Sequence, residues 1–246
     1  MDLAQFVSGI RFRHIQPDTP IPMVMKPYPH VHHYVQQLLQ EMENAQLPDD
    51  QDRLYTNMAA IWSVPRRSSF VNGAIINYIV SRLRPGEAFV HAGTLNSFMV
   101  NSYHFFAGLI NNPDKRCIGV DHFSRFGNCC DKFFTFFMLL KSPHHHFYDL
   151  DYTTYFSDVH DGPIGCYVLD GIHDYKLLMD GLQQAEPHFA KGCAIVVPDI
   201  NWPETRQAAL DFIHRNQGAY TLLLNSTTSS NFHPTFGNGL LLFQKK

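Results

Sequence analysis

Two short stretches decide how this chain is read: Ile164-Gly-Cys-Tyr-Val-Leu-Asp170-Gly-Ile-His173-Asp-Tyr175 and Ala194-Ile-Val-Val-Pro198-Asp199-Ile-Asn201-Trp202. Each is an apolar run that ends at an aspartate followed by polar groups, and the segment between them has helical spacing. Two successive β-α units of this kind place Asp170, His173, Asp199 and Asn201 along one rim of a parallel sheet. In open α/β sheets ligands bind outside the carboxyl ends of the strands, so this rim is where chemistry is expected. A tight Asp170-Gly turn and a helix cap at Asp199 would each account for one aspartate without any ligand.

The pattern extends in both directions. Toward the N-terminus, Ala88-Phe-Val-His-Ala92 reads as a strand, about Ser97 to Ile110 as a helix, Lys115 to Asp121 as a strand, about Asn128 to Leu140 as a helix and His145 to Leu150 as a strand. Toward the C-terminus, helices over Tyr175 to Phe189 and Thr205 to Asn216 flank the Asp199 strand. Apolar runs at Tyr220 to Leu224 and Leu240 to Gln244 close the chain with no helix between them. Alternating strands and helices predict a Rossmann-like α/β fold, seven strands in a mostly parallel sheet with helices on both faces. The last two strands then form an antiparallel hairpin at the sheet edge.

Residues 1–84 read differently and are expected to form an N-terminal helical cap or lid ahead of a domain spanning 85–246. Proline clusters (Pro17, Pro20, Pro22, Pro27, Pro29) precede an amphipathic stripe of Val31, Val35, Leu38, Leu39 and Met42. Further helices are predicted over Leu54 to Trp62 and Val71 to Leu83, the latter stopped by Arg84-Pro85-Gly86.

Composition narrows the function. With 246 residues, 45% of them hydrophobic, the chain can bury one large core. A formal net charge of −3 without any basic run argues against nucleic acid and for a small-molecule partner. Five cysteines, with Cys129 and Cys130 adjacent and no C-x-x-C, suggest neither a disulfide framework nor a zinc knuckle, which fits a reducing cytoplasm. The first residues lack the features of a signal peptide. The longest apolar run, Phe133 to Leu140, is far short of the roughly 20 residues a membrane helix needs, so a soluble protein is expected. That run reads as a buried helix, with self-association in a homo-oligomer or a substrate-pocket wall as the functional alternatives.

The Asp170-Gly-x-His173-x-Tyr175 motif, followed by Asp180-Gly-Leu182, Pro187, Gly192 and the strand ending at Asp199, resembles the class I S-adenosylmethionine-dependent methyltransferases. Within them it is most similar to the small-molecule O-methyltransferase branch of macrocin-type sugar and antibiotic enzymes, over residues 87–246. The resemblance implies S-adenosylmethionine as cofactor, held by Gly93, Thr94 and Ser97 after the first strand and by Asp121, His122 and Phe123 after the second. Asp121 is expected at the ribose hydroxyls, where charge-assisted hydrogen bonds are strong. Asp151, or Asp149 in its place, is expected near adenine, and Asp170 beside the cofactor. This chain departs from the branch in having His91 where an acid stands, Ser97 where a second glycine stands, and Pro198-Asp199 where an acidic pair stands.

His173 is the expected general base, since an ordinary imidazole pKa near 6.5 suits removal of a hydroxyl proton, and Asp170 is expected to act with it. Asp170, Asp199 and Asn201 offer oxygen ligands of the kind Mg2+ prefers, to orient the acceptor hydroxyl. The histidine groups His30, His32, His33 and His144, His145, His146 lack the i, i+4 geometry of a helical metal site. The expected function is methyl transfer to a hydroxyl of a sugar or natural-product intermediate. A decayed methyltransferase fold serving as a binding or regulatory module is the alternative. A dinucleotide oxidoreductase is disfavoured, because the Gly-x-Gly-x-x-Gly turn is absent.

Overall fold

The computed structural model describes residues 1–21, 31–48, 56, 68–93, 103–122, 130–171 and 173–246. The predicted helix over Leu54 to Trp62 lies outside the described residues except for Thr56, as do the start of the predicted Ser97 helix and the pair of Cys129 with its flanking turn.

The sheet has seven strands: β3 (Ala88–Ala92), β4 (Arg116–Asp121), β5 (His145–Asp149), β6 (Ile164–Leu169), β7 (Phe189–Pro198), β8 (Tyr220–Ser226) and β9 (Leu240–Lys245). Its order is β5-β4-β3-β6-β7-β9-β8. The first five of these pair in parallel, and β9 runs antiparallel to both β7 and β8. This is the α/β architecture with the C-terminal antiparallel pair that the sequence predicts. The order reverses between β3 and β6, since the chain winds outward from β3 through β4 to β5 and then returns to β6 on the other side. A crevice opens at such a reversal.

Period-two alternation along the strands divides the apolar residues between two cores. Phe89, Cys117, Cys166, Val168, Ala194 and Val196 face one side, and Val90, Ile118, Tyr167, Leu169, Ile195 and Val197 face the other. The second core is closed by α6 (Tyr175–Ala185) and α7 (Pro203–Arg215). The first is closed by α3 (Phe70–Ser81), α4 (Tyr103–Leu109) and α5 (Cys130–Leu140). Cys117, Cys166 and Cys193 are buried free thiols.

The N-terminal segment shares the first core. It contains α1 (Leu3–Gly9), α2 (Val31–Asn44) and a two-stranded ribbon of β1 (Arg11–Phe12) and β2 (Ala45–Gln46), which the sequence reading did not anticipate. Phe6 stacks on Tyr78 with ring centroids 3.7 Å apart, and Phe6, Val7 and Leu38 are buried with the residues of α3. Helix α3 is apolar almost all round and buried over Phe70 to Val80, the pattern of a helix covered on every side.

Helix α5 differs from its sequence reading as a wholly buried helix. Phe133 and Phe137 are buried, whereas Phe134, Met138 and Leu139 are exposed. The cause is its position: it covers the outer end of the sheet at edge strand β5, where Phe133 and Phe134 pack on Phe147 with ring centroids 4.7 and 5.9 Å away. No helix among the described residues is long and apolar enough to cross a membrane.

Candidate functional site

The rim of the crevice is set by backbone before any side chain enters. Gly93 follows β3 with φ +83, and a Cβ built there would meet the carbonyl oxygen of Asp170 at 2.0 Å. The Asp170 N–H donates to the carbonyl of Ala92 at 3.0 Å and the Gly93 N–H to that of Val120 at 3.0 Å. The glycine is thus required by the closure of β3 onto β6, a demand that stands whether or not a ligand approaches.

Asp170 itself is nearly inaccessible, 3% exposed. Its Oδ1 accepts from the Gly171 N–H at 2.7 Å. Its Oδ2 lies 2.8 Å from His104 Nδ1 and 3.8 Å from His91 Nε2. His104 Nε2 is in turn 2.6 Å from Ser68 Oγ. Burial alone would push the Asp170 carboxyl up, but the approach of His104 and, farther off, His91 outweighs it and holds the group below the usual carboxylate range. Burial pushes the fully enclosed His91 imidazole below its ordinary value.

His173 and Asp199 form a second pair at the cavity mouth. The His173 ring lies flat on Trp202, centroids 4.3 Å apart and planes 8° from parallel. Its Nε2 is 3.8 Å from Asp199 Oδ2, and its buried Nδ1 has no hydrogen-bond partner among the described residues. Burial pushes its pKa down. Asp199 has φ +62, a left-handed conformation an aspartate tolerates, and its Oδ1 accepts from Asn238 Nδ2 at 2.8 Å. It does not cap α7, whose N-cap is Trp202 without a side-chain hydrogen bond.

The two pairs face one cavity of about 160 Å³, lined by Ser68, Tyr103, His104, Asp170, His173 and Asp199 among others. The rim predicted from sequence therefore brings together Asp170, His173 and Asp199. Asn201 has a different occupation: its Nδ2 donates to Thr228 Oγ1 at 2.9 Å and to Asn231 Oδ1 at 3.1 Å, while its Oδ1 accepts from the Thr228 N–H at 3.0 Å. It clamps the loop between β8 and β9. Of the expected oxygen-donor Mg2+ set of Asp170, Asp199 and Asn201, the amide of Asn201 is taken at both ends by the 228–231 loop, which leaves the two carboxylates.

On the other side of the crevice, Asp121 ends β4 half-buried, with its Oδ1 accepting from the His122 N–H at 2.7 Å. Asp149 is its register partner on β5. Asp151 accepts from both the N–H and the hydroxyl of Thr154 at 3.0 and 2.8 Å, capping the helical turn Tyr152–Thr154. These bonds hold its pKa down. Its carboxylate is thus engaged in a cap and not held out toward a ligand. Thr94, Ser97 and Phe123 lie outside the described residues, and His122 is exposed.

His104, Ser68 and Trp202 were not singled out from sequence. His104 is separated from Asp170 by 66 positions, and nothing in its local run Tyr-His-Phe-Phe distinguishes it from a core histidine. The only available hint was His91, an imidazole at a strand end where a buried partner of opposite charge had to be found.

No protein-family model matches the chain, and no curated protein sequence matches it. Its fold, in contrast, is similar to solved structures. An O-methyltransferase from Bacillus cereus in complex with S-adenosylhomocysteine superposes with a TM-score of 0.52 at 12% identity, over 91% of this chain and 94% of that one. A Streptococcus mutans protein assigned as a methyltransferase, also with S-adenosylhomocysteine, gives 0.52 at 12% identity over 70% and 95%. A Corynebacterium glutamicum protein gives 0.53 at 14% identity over 88% and 97%. The fold is that of the class I S-adenosylmethionine-dependent methyltransferases.

Proposed function

We propose that the protein is an S-adenosylmethionine-dependent O-methyltransferase acting on a hydroxyl of a small polar molecule, in the manner of a sugar or natural-product intermediate. The observation that carries the reading is the placement of a stacked histidine and two carboxylates beside the β3/β6 reversal, with an acid ending β4 on its far side. Asp121 would hold the ribose, with the Gly93 turn leaving the strand end open and Thr94, Ser97, His122 and Phe123 supplying the adjoining contacts. The cofactor, when bound, supplies an electrophilic methyl group.

The proton chemistry belongs to the chain. His173 Nε2 lies 3.8 Å from Asp199 Oδ2, while Nδ1 is buried. Nε2 takes the acceptor's hydroxyl proton, and the Asp199 carboxylate beside it stabilises the imidazolium that results. Trp202 fixes the ring plane. Asn238 anchors Asp199, and the polar loop residues opposite supply hydrogen bonds to the acceptor's remaining hydroxyls. No step is routed through magnesium.

Calorimetry with S-adenosylhomocysteine tests the cofactor half, and mass spectrometry of methylated products from a panel of small polyhydroxy acceptors tests the other. Binding together with a mass gain of one methyl group is expected. No binding at millimolar ligand overturns the reading. A binding or regulatory role on the same fold is favoured by one observation, His91 in place of an acid. Its signature is cofactor binding without turnover on any acceptor.

A further inference from the structure

We propose that His91, His104 and Asp170 form a binding site for one divalent transition-metal ion, of the zinc or iron(II) type, open on one side to the cavity. The three donor atoms, one from each residue, all lie within 4.8 Å of one another, and among the described residues no other group of three histidines, cysteines or acids comes so close. Metal bonds of about 2.0 to 2.2 Å at tetrahedral or octahedral angles place neighbouring donors roughly 3 to 3.5 Å apart. The observed 2.8 Å from His104 Nδ1 to Asp170 Oδ2, and 3.8 Å from His91 Nε2 to the same oxygen, bracket that range. Side-chain adjustments of under about 1 Å suffice to admit an ion.

Convergence is what separates this cluster from a structural ion pair. One imidazole is enough to satisfy a buried carboxylate. Here a second one, on β3 and 0% exposed, points at the same oxygen from a distance longer than a normal hydrogen bond. The outer atoms are also placed as a metal site needs them. His104 Nε2 is held by Ser68 Oγ and Asp170 Oδ1 by the Gly171 N–H, so two of the three ligands are oriented through the atom facing away from the ion. When the ion binds, the proton of neutral His104 sits on Nε2 and is donated to Ser68 Oγ, leaving the Nδ1 lone pair for the metal. Two nitrogens and one oxygen select a borderline first-row ion over Mg2+.

His104 and Asp170 line the cavity and His91 does not, so the ion has His91 behind it and its open coordination position in front, toward His173 and Asp199. Three protein ligands with an open position are the arrangement of a reactive metal rather than a closed structural one. An acceptor hydroxyl or a water bound there would have its pKa lowered. The site itself does not depend on the methyltransferase reading.

The test starts from full-length protein stripped with chelator and titrated with Zn2+ by calorimetry and with Co2+ by visible absorption, without any cofactor. One ion per chain is expected, with cobalt d–d bands marking nitrogen ligation. His104→Ala and His91→Ala should each weaken Zn2+ binding at least about 100-fold, in the range seen for lost metal ligands or their supports, while Asp199→Asn leaves the stoichiometry unchanged. Absence of stoichiometric binding overturns the proposal. So does binding that survives both histidine replacements, which would locate the ion at other histidines. Should a variant fail to fold, the cobalt spectrum of the unaltered protein decides: bands with nitrogen ligation support the site, and a spectrum of hydrated cobalt overturns it. Because S-adenosylhomocysteine binding is measured separately, failure here leaves the cofactor reading standing, and the reverse holds equally.

Discussion

The cavity holds two aspartate–histidine pairs built from the same chemical parts and put to different uses by depth. Asp170 with His104 is buried at 2.8 Å, and Asp199 with His173 stands at the mouth at 3.8 Å, the imidazole about a third exposed. Depth fixes the first pair: both partners are locked by backbone and Ser68, and removing either strands a charge or a donor away from water. The second pair keeps slack and an aromatic backing. The lesson is that an anchor and a proton acceptor differ in burial and distance rather than in residue type.

The sharpest way to break this division is His173→Ala. Turnover should fall by roughly 10² to 10⁴-fold while S-adenosylhomocysteine affinity stays nearly the same, as measured by steady-state kinetics beside calorimetry. If turnover survives, the deep pair holds the base and the roles are exchanged. His104→Ala probes the other side. It leaves the Asp170 carboxylate buried without its nearest partner and should cost about 3 to 5 kcal/mol in denaturant unfolding, whereas Asp199→Asn, at a left-handed position that asparagine also tolerates, should cost about 1 kcal/mol or less. Equal costs would mean that depth does not separate the pairs.

A smaller effect sharpens the contrast between this half of the rim and the β4 half. Asp121→Ala should weaken S-adenosylhomocysteine binding by about 1.5 to 3 kcal/mol, the usual worth of hydrogen bonds to a charged group, with no change in unfolding midpoint. Unchanged affinity would move the ribose contact elsewhere.

The smallest expected effect comes from a histidine outside the cavity. His160 accepts from Tyr155 at Nδ1 and donates to the Gly162 carbonyl at Nε2, and burial followed by the nearby His188 pushes its pKa down to about 4. Unfolded, it takes up its proton near 6.5. Between those values the unfolded chain binds more protons, so stability is full above about pH 6.5 and declines as pH falls toward about 4. The loss attributable to His160 should be roughly 1 kcal/mol after allowance for the ring's partial exposure. His160→Gln should flatten the slope of unfolding free energy against pH over that window. An unaltered slope would assign the dependence to the buried histidines of the cavity.

What the sequence made legible follows from how local each signal is. Strands ending at Asp121, Asp170 and Asp199 are written in consecutive residues, and so is the helix-free link between β8 and β9, which is why the sheet and three of the rim residues could be read directly. His104 could not be, because its role depends on a helix from one part of the chain meeting a strand end 66 positions away. Asn201 misled for a similar reason: its spacing from Asp199 suits a ligand, but the 226–238 loop folds back and takes both ends of its amide. At Gly93 the glycine of the β-α turn is legible in sequence, but the Asp170 carbonyl that excludes a side chain there is not, because it comes from a distant strand end. Asp151 also caps the turn that follows it, a local role the sequence reading does not assign.

The 2.6 Å contact between Ser68 Oγ and His104 Nε2 also bears on how this molecule could have been assembled or taken apart. Ser68 stands just before α3, in the segment that sequence alone would detach as a lid, yet it lines the cavity and joins a chain of polar atoms that runs from Asn72 through His104 to Asp170. Deleting residues 1–84 removes that hydroxyl together with the apolar stave from Phe70 to Val80. The N-terminal segment is therefore not interchangeable in the manner of an accessory module. A recombined or shortened descendant would have to bring its own hydroxyl to the same imidazole, or lose the orientation of the buried Asp170 carboxylate.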